Sequence, residues 1–128
     1  MIIGIGVDRL TIERVRRAAD RFGPRFRRRI FTREELRQAD AKGDPERRLA
    51  MLFAAKEAVA KALGTGFRGG VTARSIETIH LESGAPQVRL HDGAARAAAR
   101  LGVRRLHLSL TDEAGVAIAF AIAEHHDG

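Results

Sequence analysis

The stretch FAAKEAVAKALGTG, residues 53–66, sets one carboxylate and two ammonium groups on an alanine-rich helix that stops at a Gly-Thr-Gly turn. The chain holds twenty Arg but only three Lys, at 42, 56 and 61, so two of its three Lys fall inside this one motif. Lys offers a compact point charge whose pKa shifts readily on burial, whereas Arg offers a planar fork. The spacing therefore marks a place where a point charge is wanted.

At 100° per residue, Leu49, Leu52, Phe53, Val59, Ala60 and Leu63 share a stripe about 120° wide, the width of a core-facing helical surface. Lys56 falls inside that stripe, and Glu57 and Lys61 lie at its margin, four residues apart. One reading is a surface ion pair of roughly 0.2 to 0.5 kcal/mol beside a Lys that snorkels out along its methylenes. The other is a set of partly desolvated charges that needs an opposite charge, such as a phosphate or a metal ion. Gly64 is expected as a left-handed cap, and Gly66 continues into Phe67-Arg68-Gly69-Gly70, a backbone that a ligand can approach closely. This is not a Walker loop, because the helix ends here instead of beginning.

Residues 1–7 read as a buried strand that Asp8 closes. Ile3, Ile5 and Val7 share one face; Ile2, Gly4, Gly6 and Asp8 share the other. Asp8 at a strand-to-helix junction is either a helix cap or a hard oxygen ligand for a cation such as Mg²⁺, which takes one or two protein carboxylates plus waters and phosphates.

Periodicity predicts helices at 11–21, 24–30 and 33–40, and a break at 42–45 that starts a long helix through Leu63. Strands at 75–81 and 87–90 follow, then a helix at 92–101 and a final hairpin of 106–110 with 116–122. The 128 residues, 45% hydrophobic with six Phe and no Trp or Tyr, suit one α+β domain spanning 1–128. Absence of Cys suits a reducing compartment, and no apolar run approaches the roughly 20 residues of a membrane span, so a soluble cytoplasmic protein is expected. His80, His91 and the His125-His126 pair show no metal-ligand spacing and read as surface.

The formal charge of +7 is all carried by residues 9–48, where fourteen Lys plus Arg face seven Asp plus Glu. Arg14, Arg16, Arg17, Arg21, Arg25, Arg27, Arg28 and Arg29 alternate with Ile12, Val15, Phe22, Phe26 and Ile30 as basic amphipathic helices. Such a face is solvated surface, a nucleic-acid patch, a membrane contact or a dock for an acidic protein.

Gly4-Ile5-Gly6-Val7-Asp8, followed by Phe53-Ala54-Ala55-Lys56-Glu57-Ala58 and Lys61-Ala62-Leu63-Gly64-Thr65-Gly66, resembles the holo-[acyl-carrier-protein] synthase family of phosphopantetheinyl transferases. The likeness extends to Phe31-Thr32-Arg33-Glu34-Glu35-Leu36, Gly84-Ala85-Pro86 and the segment 107–113. It implies transfer of 4'-phosphopantetheine from coenzyme A to a serine of an apo acyl carrier protein, with Mg²⁺ held by Asp8 and Glu57. Glu57 and Lys61 become the catalytic pair, and Lys56, Lys61, Gly64, Gly66, Pro86 and His107 the coenzyme A contacts. The resemblance further implies an antiparallel sheet packed on the long helix, and a homotrimer with sites between subunits. It also turns the basic face into a dock for an acidic carrier, through Arg14, Arg21, Arg25, Arg28 and Phe26, with neither nucleic acid nor membrane as partner. One departure is Leu52, where the family often carries an Arg that reaches the nucleotide phosphate; Arg47 and Arg48 are the candidates to replace it.

Overall fold

A computed structural model describes residues 1–125; of the histidines read as surface, His126 lies outside the described residues. Strand β1 (Ile2–Thr11) leads into helices α1 (Ile12–Phe22), α2 (Pro24–Ile30) and α3 (Arg33–Asp40), and then the long α4 (Pro45–Ala62). A 3-10 turn at Ala73–Ser75 precedes β2 (Ile76–His80), β3 (Pro86–Leu90), α5 (Asp92–Leu101), β4 (Val103–Glu113) and β5 (Val116–His125). The strands form an antiparallel three-stranded sheet in the order β1-β5-β4 and a separate β2-β3 hairpin. The expected α+β class, with an antiparallel sheet on a long helix, is what the chain adopts.

Local chemistry sets the boundaries. Pro24 and Pro45 occupy first-turn positions that need no N–H, and the Asp44 side chain accepts from Arg47 N at 3.3 Å. Thr32 and Glu35 form a reciprocal capping box at the start of α3, Glu35 N to Thr32 Oγ1 at 3.2 Å and Thr32 N to Glu35 Oε1 at 2.9 Å.

Small residues decide how α4 meets the sheet. Ala117, Ala119, Ala121 and Ala123 line the inner face of β5 and are wholly buried. A Cβ on Gly4 would sit 1.9 Å from the Ala62 carbonyl oxygen, and one on Gly6 would sit 1.9 Å from that of Ala58. The backbone of β1 therefore rests directly on the last turns of α4.

Four expectations need correction. Helix α4 is not apolar on one stripe: beyond its first turn only Phe53, Glu57 and Lys61 escape burial, because α3, the sheet and β2 enclose the rest. β1 runs on to Thr11, so Asp8 lies inside the strand opposite Ala119 and is neither its end nor a helix cap. Nor is β1 buried on both faces, since Ile3, Ile5 and Val7 point away from α4 and are 36%, 58% and 55% exposed. The last hairpin is longer than its apolar pattern and turns at Ala114-Gly115, because Asp112 stays in β4 to bind Arg47 with both oxygens, at 2.6 and 2.8 Å.

Gly6→Ala is expected to lower unfolding free energy by about 3 kcal/mol, the upper range for overpacking, because backbone and not a flexible side chain fills the space. Denaturant titration measures this; a loss below about 1 kcal/mol would mean that β1 and α4 are not in direct contact.

Candidate active site

The open stripe of α4 meets β1 beside Asp8. Gly6 lets the strand lie against Ala58, which carries Asp8, two residues on, to the same face as Glu57 and Lys61. Lys61 Nζ donates to the Val7 carbonyl at 2.9 Å and lies 3.1 Å from Asp8 Oδ1. The Asp8 side chain is only 10% exposed, and its Oδ2 is buried with no hydrogen-bond partner.

Glu57 completes the group. Burial raises its pKa above the ordinary glutamate value, the Asp8 charge and a hydrogen bond with Asp8 add to the rise, and Lys61 and Arg14 act against it. A bond between two carboxyls exists only while one of them holds a proton. With both ionised, Oδ2 is an orphan, and the pair is a concentration of hard oxygen donors beside a single ammonium. Two carboxylates with an unsatisfied oxygen fit a small divalent cation whose other ligands are waters and phosphate oxygens. Among the described residues there is no cluster of three or more His, Cys, Asp or Glu side chains that could hold a metal by themselves.

Gly64 and Gly66 follow directly, with φ of 76° and 56°. Nothing lies within 4 Å of a Cβ built at either, so conformation rather than crowding calls for glycine there. Thr65 N and Gly66 N both reach back to the Ala60 carbonyl at 3.2 Å, closing the helix end beneath the site.

Other expected residues lie elsewhere. Lys56 is wholly buried, and all three of its donors are engaged, by Glu35 Oε1 at 2.8 Å, Ala73 O at 2.8 Å and Ile76 O at 2.6 Å. It neither snorkels nor has a proton left for coenzyme A, and its opposite charge is Glu35, not a ligand. Pro86 lines a cavity of about 610 Å³ with Arg48, Leu52, His80, Gly84 and Ser109, away from Asp8, Glu57 and Lys61. His107 sits on the outer sheet face, its Nε2 3.1 Å from Glu124 Oε1. Of the two candidates to replace the family's Arg, Arg47 is committed to Asp112, while Arg48 faces the cavity beside the Nε2 of His80 at 3.4 Å.

On the basic face, Arg14, Arg21, Arg25 and Arg28 are exposed and make no ion pair among the described residues, whereas Arg16 and Arg27 are held by Asp44 and Asp40 at 2.8 and 2.6 Å. Phe26 is half-buried edge-on to Phe31, ring centres 6.0 Å apart. Phe22, 53% exposed under the Arg21 guanidinium, is the more available aromatic and was not singled out by periodicity, which counts it with the core-facing residues. Glu35 was missed as well: the Thr-x-x-Glu pattern announces a helix start but not that the same carboxylate is buried against a distant Lys.

The 4'-phosphopantetheinyl transferase superfamily matches residues 4–121 of this chain. A holo-[acyl-carrier-protein] synthase of Methylobacterium sp. (strain 4-46) is 48% identical over 128 residues, covering 97% of this chain and 95% of the relative. The crystal structure of the Neisseria meningitidis synthase superposes with a TM-score of 0.90 at 41% identity, covering 97% of this chain and 99% of that one. The Helicobacter pylori synthase, solved in complex with coenzyme A, superposes at 0.83 with 27% identity over 94% of this chain and 99% of that one. Fold, span and sequence agree throughout, and this chain belongs to the 4'-phosphopantetheinyl transferase superfamily.

Proposed function

We propose that this chain, as one catalytic domain over residues 1–128, transfers 4'-phosphopantetheine from coenzyme A to a serine hydroxyl of an apo acyl carrier protein, releasing adenosine 3',5'-bisphosphate. The observation that carries the reading is the meeting of Asp8 of β1 with Glu57 and Lys61 on the one stripe of α4 left open beyond its first turn. The named relatives and the coenzyme A complex of a structural neighbour support the substrate pair.

Asp8 and Glu57 are the residues that would hold Mg²⁺, which would supply Lewis-acid polarisation of a phosphoryl oxygen there. The serine oxygen attacks the phosphorus on the pantetheine side, and the bond to the bridging oxygen breaks, leaving that oxygen on the nucleotide. Lys61, kept in place by the Val7 carbonyl, presents positive charge where negative charge collects as that bond breaks. Lys61, donating as an ammonium, has no lone pair for the serine proton, so Glu57 is the group on the stripe that can take it. Absence of Cys, and no helix among the described residues long and apolar enough to cross a membrane, accord with a cytoplasmic reaction.

Two features support the homotrimer that is part of this reading. Ile5, Val7, Ile118 and Phe120 make an outward apolar sheet face, 58%, 55%, 36% and 41% exposed, of the kind that marks an interaction surface. The coenzyme A residues are also split within one chain, Lys61, Gly64 and Gly66 at the α4 end and Pro86 in the Arg48 cavity, so a neighbouring copy is needed to bring the two sets together. Light scattering is expected to give three times the chain mass, and Phe120→Asp to give monomers with transfer reduced at least 100-fold; a monomeric, fully active wild type excludes the assembly.

Incubation with Mg²⁺, coenzyme A and an apo carrier is expected to produce a phosphopantetheine adduct by mass spectrometry, lost in Asp8→Ala and Glu57→Ala although both fold. In the same assay, Arg14→Glu with Arg21→Glu raises the KM for carrier at least tenfold and leaves that for coenzyme A unchanged. No adduct from wild type, with tight salt-dependent nucleic-acid binding instead, would replace this reading.

The pKa of Glu57 gives a test without turnover. A carboxyl whose folded pKa is raised stabilises the fold below its unfolded value, near 4.5, and loses that contribution as pH rises through the folded value. In chelator, the Tm of wild type is therefore expected to fall relative to Glu57→Gln as pH climbs from 4.5 to neutrality, and Mg²⁺ to restore it at neutral pH. A wild-type Tm indifferent to Mg²⁺ removes the metal assignment.

A further inference from the structure

Lys56 stands next to Glu57 in sequence but is turned about 100° round α4 from it and enclosed by protein. Its ammonium has three donors, and the fold meets each with one acceptor: Glu35 at 2.8 Å, Ala73 O at 2.8 Å and Ile76 O at 2.6 Å. Both oxygens of Glu35 are engaged, since Oε1 also accepts from Thr32 N at 2.9 Å and Oε2 accepts from Thr78 N at 2.9 Å. The Phe31 ring lies 5.6 Å below the ammonium and closes the last side. Thr32 passes the network on through its hydroxyl to Glu77 at 2.5 Å, and Glu77 bonds His91, 3.0 Å away, at the start of α5.

Two parts of the reaction centre converge on this ammonium. One is the α4 turn that bears Glu57. The other is the glycine-rich loop, which leaves α4 at Gly64 and returns at the 3-10 turn whose first carbonyl, Ala73 O, Lys56 binds. A single buried charge thus ties the helix that bears Glu57 and starts the loop to the loop's returning end, to the α3 cap and to β2.

We propose that Lys56 is a positioning residue for the transfer. Through Glu35 and the Ala73 and Ile76 carbonyls it fixes Glu57 against Asp8 and sets the path of the 64–72 loop, without touching either substrate. This rests on Asp8, Glu57 and Lys61 being the reaction centre. Arg does not serve in its place, because a planar fork does not reach three acceptors arranged around a point.

The pair can be removed as a neutral unit by Lys56→Met with Glu35→Gln, which avoids leaving a lone buried charge. Lys56→Arg keeps the charge and alters the geometry. Leu106→Ala, a packing change on β4, serves as a control for lost stability alone. Each is assayed for turnover, for KM toward carrier, for the Mg²⁺ concentration giving half-maximal rate, and for Tm. For both Lys56 variants, kcat is expected to fall at least 30-fold and the Mg²⁺ requirement to rise at least tenfold, with carrier KM within twofold of wild type. The Leu106 control is expected to lose Tm while keeping the wild-type Mg²⁺ requirement.

Folded Lys56 variants with wild-type turnover and Mg²⁺ requirement overturn the proposal. So does failure of both to fold at 10 °C, which makes Lys56 a folding residue and nothing more. An inactive wild type, by contrast, overturns the transfer reaction itself, and this role for Lys56 falls with it.

Discussion

The contact on which everything else rests is backbone against backbone: β1 lies on α4 with no side chain between Gly6 and the Ala58 carbonyl. One methyl group there would overlap an oxygen at 1.9 Å. Since Asp8 follows Gly6 at the next inward position of the strand, the approach that excludes a Cβ also sets how near a carboxylate comes to Glu57. The alanine column of β5 widens the same seat, letting an 18-residue helix sink until only one stripe of it beyond the first turn reaches solvent. In this fold, depth of packing and placement of the acids are one requirement.

On its other side, α4 is held by charge. Burial draws the Lys56 pKa down from that of an ordinary lysine, and Glu35 opposes the fall. Breaking a buried pair by removing one partner costs about 3 to 5 kcal/mol, although replacing the whole pair with apolar residues is often neutral. Stability alone therefore gives little reason to bury an ion pair here. Geometry gives a stronger one, because three directed bonds orient a helix more narrowly than a methylene surface does.

The sequence announced much of this and concealed the rest for definite reasons. Helix starts were legible, since Pro24, Pro45 and the Thr32-Glu35 box act locally. The Gly4-Gly6-Asp8 face and the Glu57-Lys61 spacing pointed to a common site, and the two acids do meet. What no local pattern shows is which partner a buried charge finds. A helical wheel puts Lys56 inside the apolar stripe and Lys61 at its margin, but does not show that one faces Glu35, twenty-one residues away, and the other Asp8, fifty-three residues away. The same blindness made Ile3, Ile5 and Val7 look like core: apolar residues on a strand signal a covered face, but not whether the same chain covers it.

The scarcity of Lys takes on a physical meaning once these partners are known. On the basic face Arg is suitable, because a delocalised and weakly hydrated cation keeps its charge whatever approaches. At the helix, a small ammonium is required twice, once to fill a closed cage of three oxygens and once to sit between the Val7 carbonyl, Asp8 and the space above Glu57. The two carboxylates over that space repel each other, and the rise in the Glu57 pKa is the measure of that repulsion together with burial. A fold that presses two acids together at a depth where Oδ2 of one has no partner has stored a demand for positive charge. Lys61 meets part of that demand from below, and what remains faces the solvent, where a cation arriving with a diphosphate can satisfy it.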